Sequence, residues 1–257
     1  MKPVAIDFPN GNRARALYVS QGAAAKQIID ALELPRPRAL LVLNGGTAEM
    51  EAELQGQLGR LLQDGIARIA AERQITLITG GTDAGIFSLL GQGLAKWGQT
   101  APCIGVTVAR WVAWPGRIPP WLPRWWFERG RVPLEPHHTH FVLTNGDRWG
   151  AETETMFALT AALSEGVPSV AVLASGGLIA RGETLHNVRQ EREIIVIAGS
   201  GRLADEIAAV ITGHTETPDD ETAAIVQDGR TTLFNIADGP EALASLARQK
   251  LFRGPAA

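Results

Sequence analysis

The chain holds one cysteine, one tyrosine and three methionines in 257 residues. A lone cysteine excludes an intrachain disulfide framework and a cysteine-based zinc site. Cys103 stands inside the apolar run 103–108 and is expected to be a buried small hydrophobe. Charge of one sign is also missing. Twenty-four basic and 27 acidic residues leave a formal net charge of −3, with no general attraction to nucleic acid or anionic membrane. No nucleic-acid partner is therefore expected. No run approaches the roughly 20 apolar residues that cross a bilayer. The first twenty residues lack the apolar core of a signal peptide, so a cytoplasmic location is expected. There is no H-E-x-x-H metal motif, no G-x-S-x-G nucleophile elbow and no Walker loop.

What the chain does have is glycine at the ends of apolar runs. Residues 75–79 are an apolar, β-branched run that stops at Gly80-Gly81. Thr79 and Thr82 flank that turn, and a helical pattern opens at Asp83 and passes through Gly85, Ile86 and Phe87. Strand, glycine turn and helix is a geometry that aims backbone N–H groups at an anion. The pattern recurs after residues 39–43, which end in Asn44-Gly45-Gly46-Thr47, and after residues 141–144, which end in Asn145-Gly146 with a helix near Gly150 and Ala151. It recurs again at Gly176-Gly177 and at Gly199-Ser200-Gly201-Arg202. Near-continuous apolar runs suit strands buried on both faces of a parallel sheet. In open α/β sheets ligands bind beyond the carboxyl ends of the strands. These loops are expected to form one composite site, with the Arg202 guanidinium on a pyrophosphate.

The periodicity predicts one α/β domain, Rossmann-like and doubly wound around a mainly parallel sheet. An N-terminal extension (1–38) carries a short hairpin and a first helix, and residues 50–73 and 83–97 read as helices. Further strand–helix pairs follow from 139 to 212; residues 213–221 read as a polar loop, and a last strand and helix close the chain at 231–251. An insertion at 109–136 breaks the rhythm. It is rich in proline and holds Trp111, Trp114, Trp121, Trp125 and Trp126. A segment of that length is expected to serve a contact, and a homo-oligomer is predicted to use it.

Three further groups could carry chemistry. His137, His138 and His140 precede a strand, where only His138 and His140 share a face, and no H-E-x-x-H pattern with an acidic metal ligand is read there; no metal site is expected. Glu152 and Glu154 lie in the first turn of a helix, stabilised there by its dipole, and also where a ribose hydroxyl or an attacking water could be held. No cofactor is required by any of these residues.

In their order, ITGGTDAGI, LEPHHTHFVL, GDRWGAE, VPSVAVLASGG and AGSGRLADEI resemble the N-terminal cytosolic domain of TRPM cation channels. That domain belongs to the SLOG superfamily, and the chain looks like its prokaryotic stand-alone branch. The resemblance implies a Rossmann-like fold sensing a nucleotide-derived ligand such as ADP-ribose or NAD, with residues 79–82, 150–152 and 199–202 at the site. It also implies a membrane-associated effector as partner. SLOG proteins include phosphoribohydrolases that cleave N-glycosidic bonds and carry P-G-G-x-G-T-x-x-E. Here Glu154 keeps its spacing from Gly150, but the leading proline is absent and Ala151 stands in place of threonine. Binding without hydrolysis is expected, with Glu152 and Glu154 the acids to test otherwise.

Overall fold

The computed structural model describes residues 2–47, 50–98, 100–117, 129–215 and 218–252. In chain order the first strands are β1 (Val4–Asp7) and β2 (Arg13–Val19), followed by helix α1 (Ala25–Leu32) and β3 (Leu40–Gly45). A long helix, α2, runs as Ala52–Arg60, a π-helical Leu61–Ala67 and Arg68–Arg73. Then come β4 (Thr76–Thr79), α3 (Gly85–Trp97), β5 (Cys103–Val108), and the two-residue strands β6 (Val112–Ala113) and β7 (Val132–Pro133). The remaining pairs are β8 (His140–Thr144) with α4 (Thr153–Leu163), and β9 (Ser169–Ala174) with α5 (Leu178–Arg189). β10 (Glu193–Ala198) leads through α6 (Arg202–Ile211) and α7 (Asp220–Asp228) to β11 (Arg230–Asn235) and α8 (Gly239–Phe252).

Nine strands form one sheet in the order β1-β2-β8-β5-β4-β3-β9-β10-β11. Every neighbouring pair is parallel except β1 with β2. The β-branched and leucine-rich runs of β4 and β5, and of β3 as far as Asn44, are buried, as strands covered on both faces must be. Helices α2, α3 and α8 cover one face. Helices α1 and α4 to α7 cover the other. The α/β doubly wound arrangement is thus the observed one.

The hairpin of the N-terminal extension is not a separate ornament. β2 pairs with β8 over residues 15–19 and carries the sheet outward to β1. The polar stretch 213–221 contains the start of α7, which opens at residue 220 with the Asp219 carboxylate accepting from Thr222 N–H at 3.0 Å. Among the described residues, no helix is long and apolar enough to cross a membrane.

From β3 the chain winds one way through β4 and β5; β9 returns to the other side of β3 and winds away through β10 and β11. The crevice between the carboxyl ends of β3 and β9 is the switch point, where ligands bind in such sheets.

Candidate functional site

A cavity of about 510 Å³ opens at that switch point. Its lining comes from all five of the glycine-bearing strand ends. The β3 end supplies Gly45, Gly46 and Thr47, and the β4 end Gly80, Thr82, Ala84 and Phe87. Trp149 and Glu152 come from the stretch before α4, Gly177 to Ala180 and Glu183 from α5, and Val132 from the insertion. Arg202 alone represents the β10 loop. Burial sets the depth: Glu152, Glu183, Thr82, Phe87 and Ala180 are buried at the floor, whereas Thr47, Trp149, Leu178, Ile179 and Arg202 are exposed at the rim.

The remaining expected contact residues stand behind this lining. Asn145 is exposed and its side chain accepts from Gln21 N–H at 2.9 Å, away from the cavity. Gly146 packs on Ala151, and Gly85 against Gly46 and Thr47. Gly150 lies against Ile179, and Gly176 against Ala180 and the backbone of Gly45. Ser200 is fully buried, donating to the Ile197 carbonyl and accepting from Ser175 N–H at 2.7 Å.

Where the backbone donors point decides which loop can take an anion. At β4, Gly81 N–H donates to Thr79 Oγ1 at 2.9 Å and Asp83 N–H to the Pro133 carbonyl at 2.8 Å. Ile86 N–H, in the first turn of α3, donates to the Gly46 carbonyl. Gly81 itself has φ +70°, and a Cβ there would lie 2.7 Å from Gly105 Cα; the glycine serves close packing of β4 on β5. At β10, Gly199 N–H and Gly201 N–H both donate to the Asp205 carboxylate, at 2.6 and 3.1 Å. The first amides of α6 go to the Ser175 and Gly176 carbonyls. These two loops carry their own acceptors. At α5, by contrast, the N-cap is Gly177 and no side chain caps the helix, although all four residues from 177 to 180 face the cavity. Helix α5 therefore presents first-turn N–H groups and a positive dipole end to the cavity, the arrangement that suits an anion. Arg202 stands beside it, and its guanidinium has no ion-pair or hydrogen-bond partner among the described residues.

The floor is acidic. Glu183 is 7% exposed, and burial pushes its carboxyl up to about 8, with the Glu152 charge adding to the rise. Asn44 at the end of β3 donates Nδ2–H to Glu183 Oε2 at 3.0 Å. Asn44 in turn accepts from Asn187 at 2.8 Å, and Asn187 accepts from Arg192 at 2.6 Å. A polar seam thus runs under α5 from the cavity toward the opposite edge of the sheet. Glu152 is also 7% exposed and burial raises its carboxyl as well. Its Oε2 is buried and has no hydrogen-bond partner among the described residues. Glu154, two residues on, is exposed and faces His186 Nε2 at 3.4 Å, outside the cavity. Glu183 was not expected. Its signal is that Ala180, Glu183, Thr184 and Asn187 are one buried face of α5 at helical spacing, a polar stripe where a surface helix has an apolar one.

A second buried cluster braces the β4 turn. His138 Nδ1 and His137 Nδ1 each lie 2.7 Å from a Glu135 carboxylate oxygen, and His138 Nε2 lies 2.7 Å from Thr79 Oγ1. Burial opposes the charged ring of His138, but Cys103 and the Glu135 carboxylate outweigh it and hold it up to about 10. Burial also opposes ionisation of Glu135, and its two histidine partners bring it below the ordinary carboxylate range. Thr79 is fully buried in this cluster, behind the cavity wall. Among the described residues no three His, Cys, Asp or Glu side chains are arranged to hold a metal ion.

The insertion is stitched to the same turn. Thr82 bridges Leu134, Glu135 N–H donates to the Gly81 carbonyl, and β6 pairs with β7. Trp114 stacks under Arg117 and against Tyr18. Trp121, Trp125 and Trp126 lie outside the described residues.

Comparison with known proteins now bears on the fold and cavity together. The family described as SLOG in TRPM, prokaryote, matches residues 38–245. The chain belongs to that family. Mouse transient receptor potential cation channel subfamily M member 2 is 25% identical over 205 residues, covering 68% of this chain and 13% of the channel. The rat protein of the same name is 24% identical over 203 residues, with the same coverage. The chain thus spans about an eighth of the length of these curated relatives. The family match begins just before β3 and ends within α8, so it takes in every loop that lines the SLOG cavity.

Proposed function

We propose that this SLOG domain is a ligand sensor that binds a nucleotide-derived molecule of the ADP-ribose or NAD kind at the carboxyl edge of its sheet. The observation that carries the reading is the uncapped N-terminus of α5 facing a cavity beside the partnerless Arg202 guanidinium. Helix amides and a planar guanidinium are complementary to a phosphate or pyrophosphate. The exposed Trp149, Leu178 and Ile179 give the rim an apolar patch suited to a base. The cavity volume lies in the range of small-molecule sites, about 300–1,000 Å³. Kinship with a cation-channel subunit fits a sensing role, in which the domain reports to a membrane-associated effector. Self-association through the 109–136 insertion belongs to the same reading.

Thermal-shift and calorimetric titrations with ADP-ribose, NAD, AMP and adenosine test it. A ligand that binds only the folded state raises its melting temperature. Phosphate-bearing compounds should do so and adenosine much less. If no phosphate-bearing nucleotide binds, the reading fails.

A second reading, hydrolysis of an N-glycosidic bond, is favoured by one observation: two buried carboxyls with raised proton affinity share the cavity floor. Against it, Glu154, the acid with hydrolase-like spacing, faces His186 and solvent. Incubation with AMP and NAD for hours, followed by chromatography, should show no released base. Release that stops in Glu152→Gln would make the protein an enzyme.

A further inference from the structure

We infer that the floor of the cavity, built from Glu152, Glu183 and Asn44, selects a ligand whose inner end is an uncharged vicinal diol and rejects one that carries a phosphate there. This rests on the nucleotide-binding reading and specifies the ligand class for the same site.

The argument starts from an unmet valence. Glu152 Oε2 is buried and has no partner among the described residues. A buried acceptor left unpaired costs the full desolvation of that group, so a ligand group that donates to it gains what the free protein lacks. The neighbouring carboxyl has one oxygen already engaged by Asn44, which leaves its other oxygen for the ligand. Two such groups at one end of a cavity present both kinds of valence. A carboxylate only accepts, whereas a protonated carboxyl also donates. Burial holds the Glu183 proton on at neutral pH. A vicinal diol matches this pair, one hydroxyl donating to Glu152 and the other accepting from Glu183.

The other chemistries fit less well. A phosphate at the floor would meet the unpaired Glu152 oxygen where it needs a donor. A cationic group would need both acids ionised in a setting that disfavours ionisation. The phosphate-binding elements, Arg202 and the start of α5, lie at the exposed rim rather than the floor. The bound molecule is thus anionic at the rim and neutral, with hydroxyl donors, at the floor. ADP-ribose and AMP meet this specification; forms phosphorylated on the ribose hydroxyls do not.

The test is calorimetric titration of the whole chain with ADP-ribose, ADP-ribose 2′-phosphate and ADP-ribose 1″-phosphate. ADP-ribose should bind, and the analogue whose added phosphate reaches the floor should bind at least tenfold more weakly. In Glu152→Gln, whose amide donates and carries no charge, that discrimination should shrink at least fivefold. Circular dichroism and a melting curve establish that the variant is folded, and Glu183→Gln provides a second probe of the same pair. Equal binding of all three ligands, or discrimination unchanged in both variants, overturns the inference alone. Failure of ADP-ribose and both analogues to bind overturns the nucleotide reading and this inference with it.

Discussion

Replacing Glu183 by glutamine should stabilise the protein in alkaline solution and leave it unchanged in acid. Its carboxyl titrates near 4.5 when unfolded and at about 8 in the folded chain, chiefly because it is buried. The folded state then holds a proton that the unfolded state has released. That stability is fully present below about 4.5 and is lost as pH rises through 8. At about 1.4 kcal/mol for each tenfold change in the proton equilibrium, the whole titration has a ceiling of about 5 kcal/mol. Relaxation and water entry reduce this to a few kcal/mol. Glutamine does not titrate, and its carbonyl can still accept from Asn44, which now donates to Glu183 at 3.0 Å. Other groups titrate in the same window. His140 is driven down to about 4 by burial and Arg15, so its contribution rises with pH from about 4 to 6.5. It is present in both proteins and cancels from their difference. The assay is thermal melting of wild type and Glu183→Gln from pH 4.5 to 9. The two should coincide near pH 4.5 and diverge progressively as pH rises towards 8, reaching a melting difference of roughly 5–10 °C by pH 8.5. Parallel curves would refute the assignment of a raised, buried carboxyl to Glu183.

The remaining predictions concern the rim, the glycines and the assembly. Arg202→Ala should weaken ADP-ribose by about 2 kcal/mol, roughly thirtyfold, with much less effect on adenosine; equal losses for both would make Arg202 structural. Gly81→Val should cost at least about 2 kcal/mol in urea unfolding, because its φ is +70° and Gly105 lies against it. Gly177→Val should melt close to wild type yet lose ADP-ribose binding in calorimetry, since no atom lies within 4 Å of a Cβ there while Gly177 faces the cavity. Light scattering at micromolar concentration should give a mass above one chain, and Trp114→Ala should reduce it.

The sheet was legible because its strands are buried on both faces, so their apolar runs need no alternation to be recognised. β3, β4 and β8 all lie within a residue or two of their expected positions. Three features were not legible. Pairing of β2 with β8 joins residues more than a hundred positions apart, and no local pattern encodes that choice. Helix α7 opens in a run of acids that reads as a solvated loop; its marker is the Asp219 side chain capping Thr222, which sequence shows only as an aspartate three residues before a threonine. The π-helical turn at 61–67 keeps its leucines and isoleucine buried, so its hydrophobic spacing passes for that of an α-helix.

The site was legible as a place and not as a chemistry. Glycine at a strand end marks a tight turn whether its amides are free for a ligand or already bound within the protein. Gly81 donates to Thr79, and Gly199 and Gly201 donate to Asp205, whereas Gly177 opens a helix that no side chain caps. Only the partners distinguish these cases. The same holds for the acids. Glu152 and Glu154 are equivalent in sequence, two carboxylates in one helical turn, yet rotation about the helix axis carries one into the cavity and the other out to His186. Glu183 joins Glu152 only because α5 lies across the end of β3, where Asn44 fixes it. Asn44 is itself tied through Asn187 to Arg192, so the geometry of the cavity floor depends on a seam of buried polar side chains. Removing one member leaves its partners buried and unsatisfied. That cost accounts for the hydrogen bonds that join Glu183, Asn44, Asn187 and Arg192, while Glu152 Oε2, at the cavity end, has no partner among the described residues.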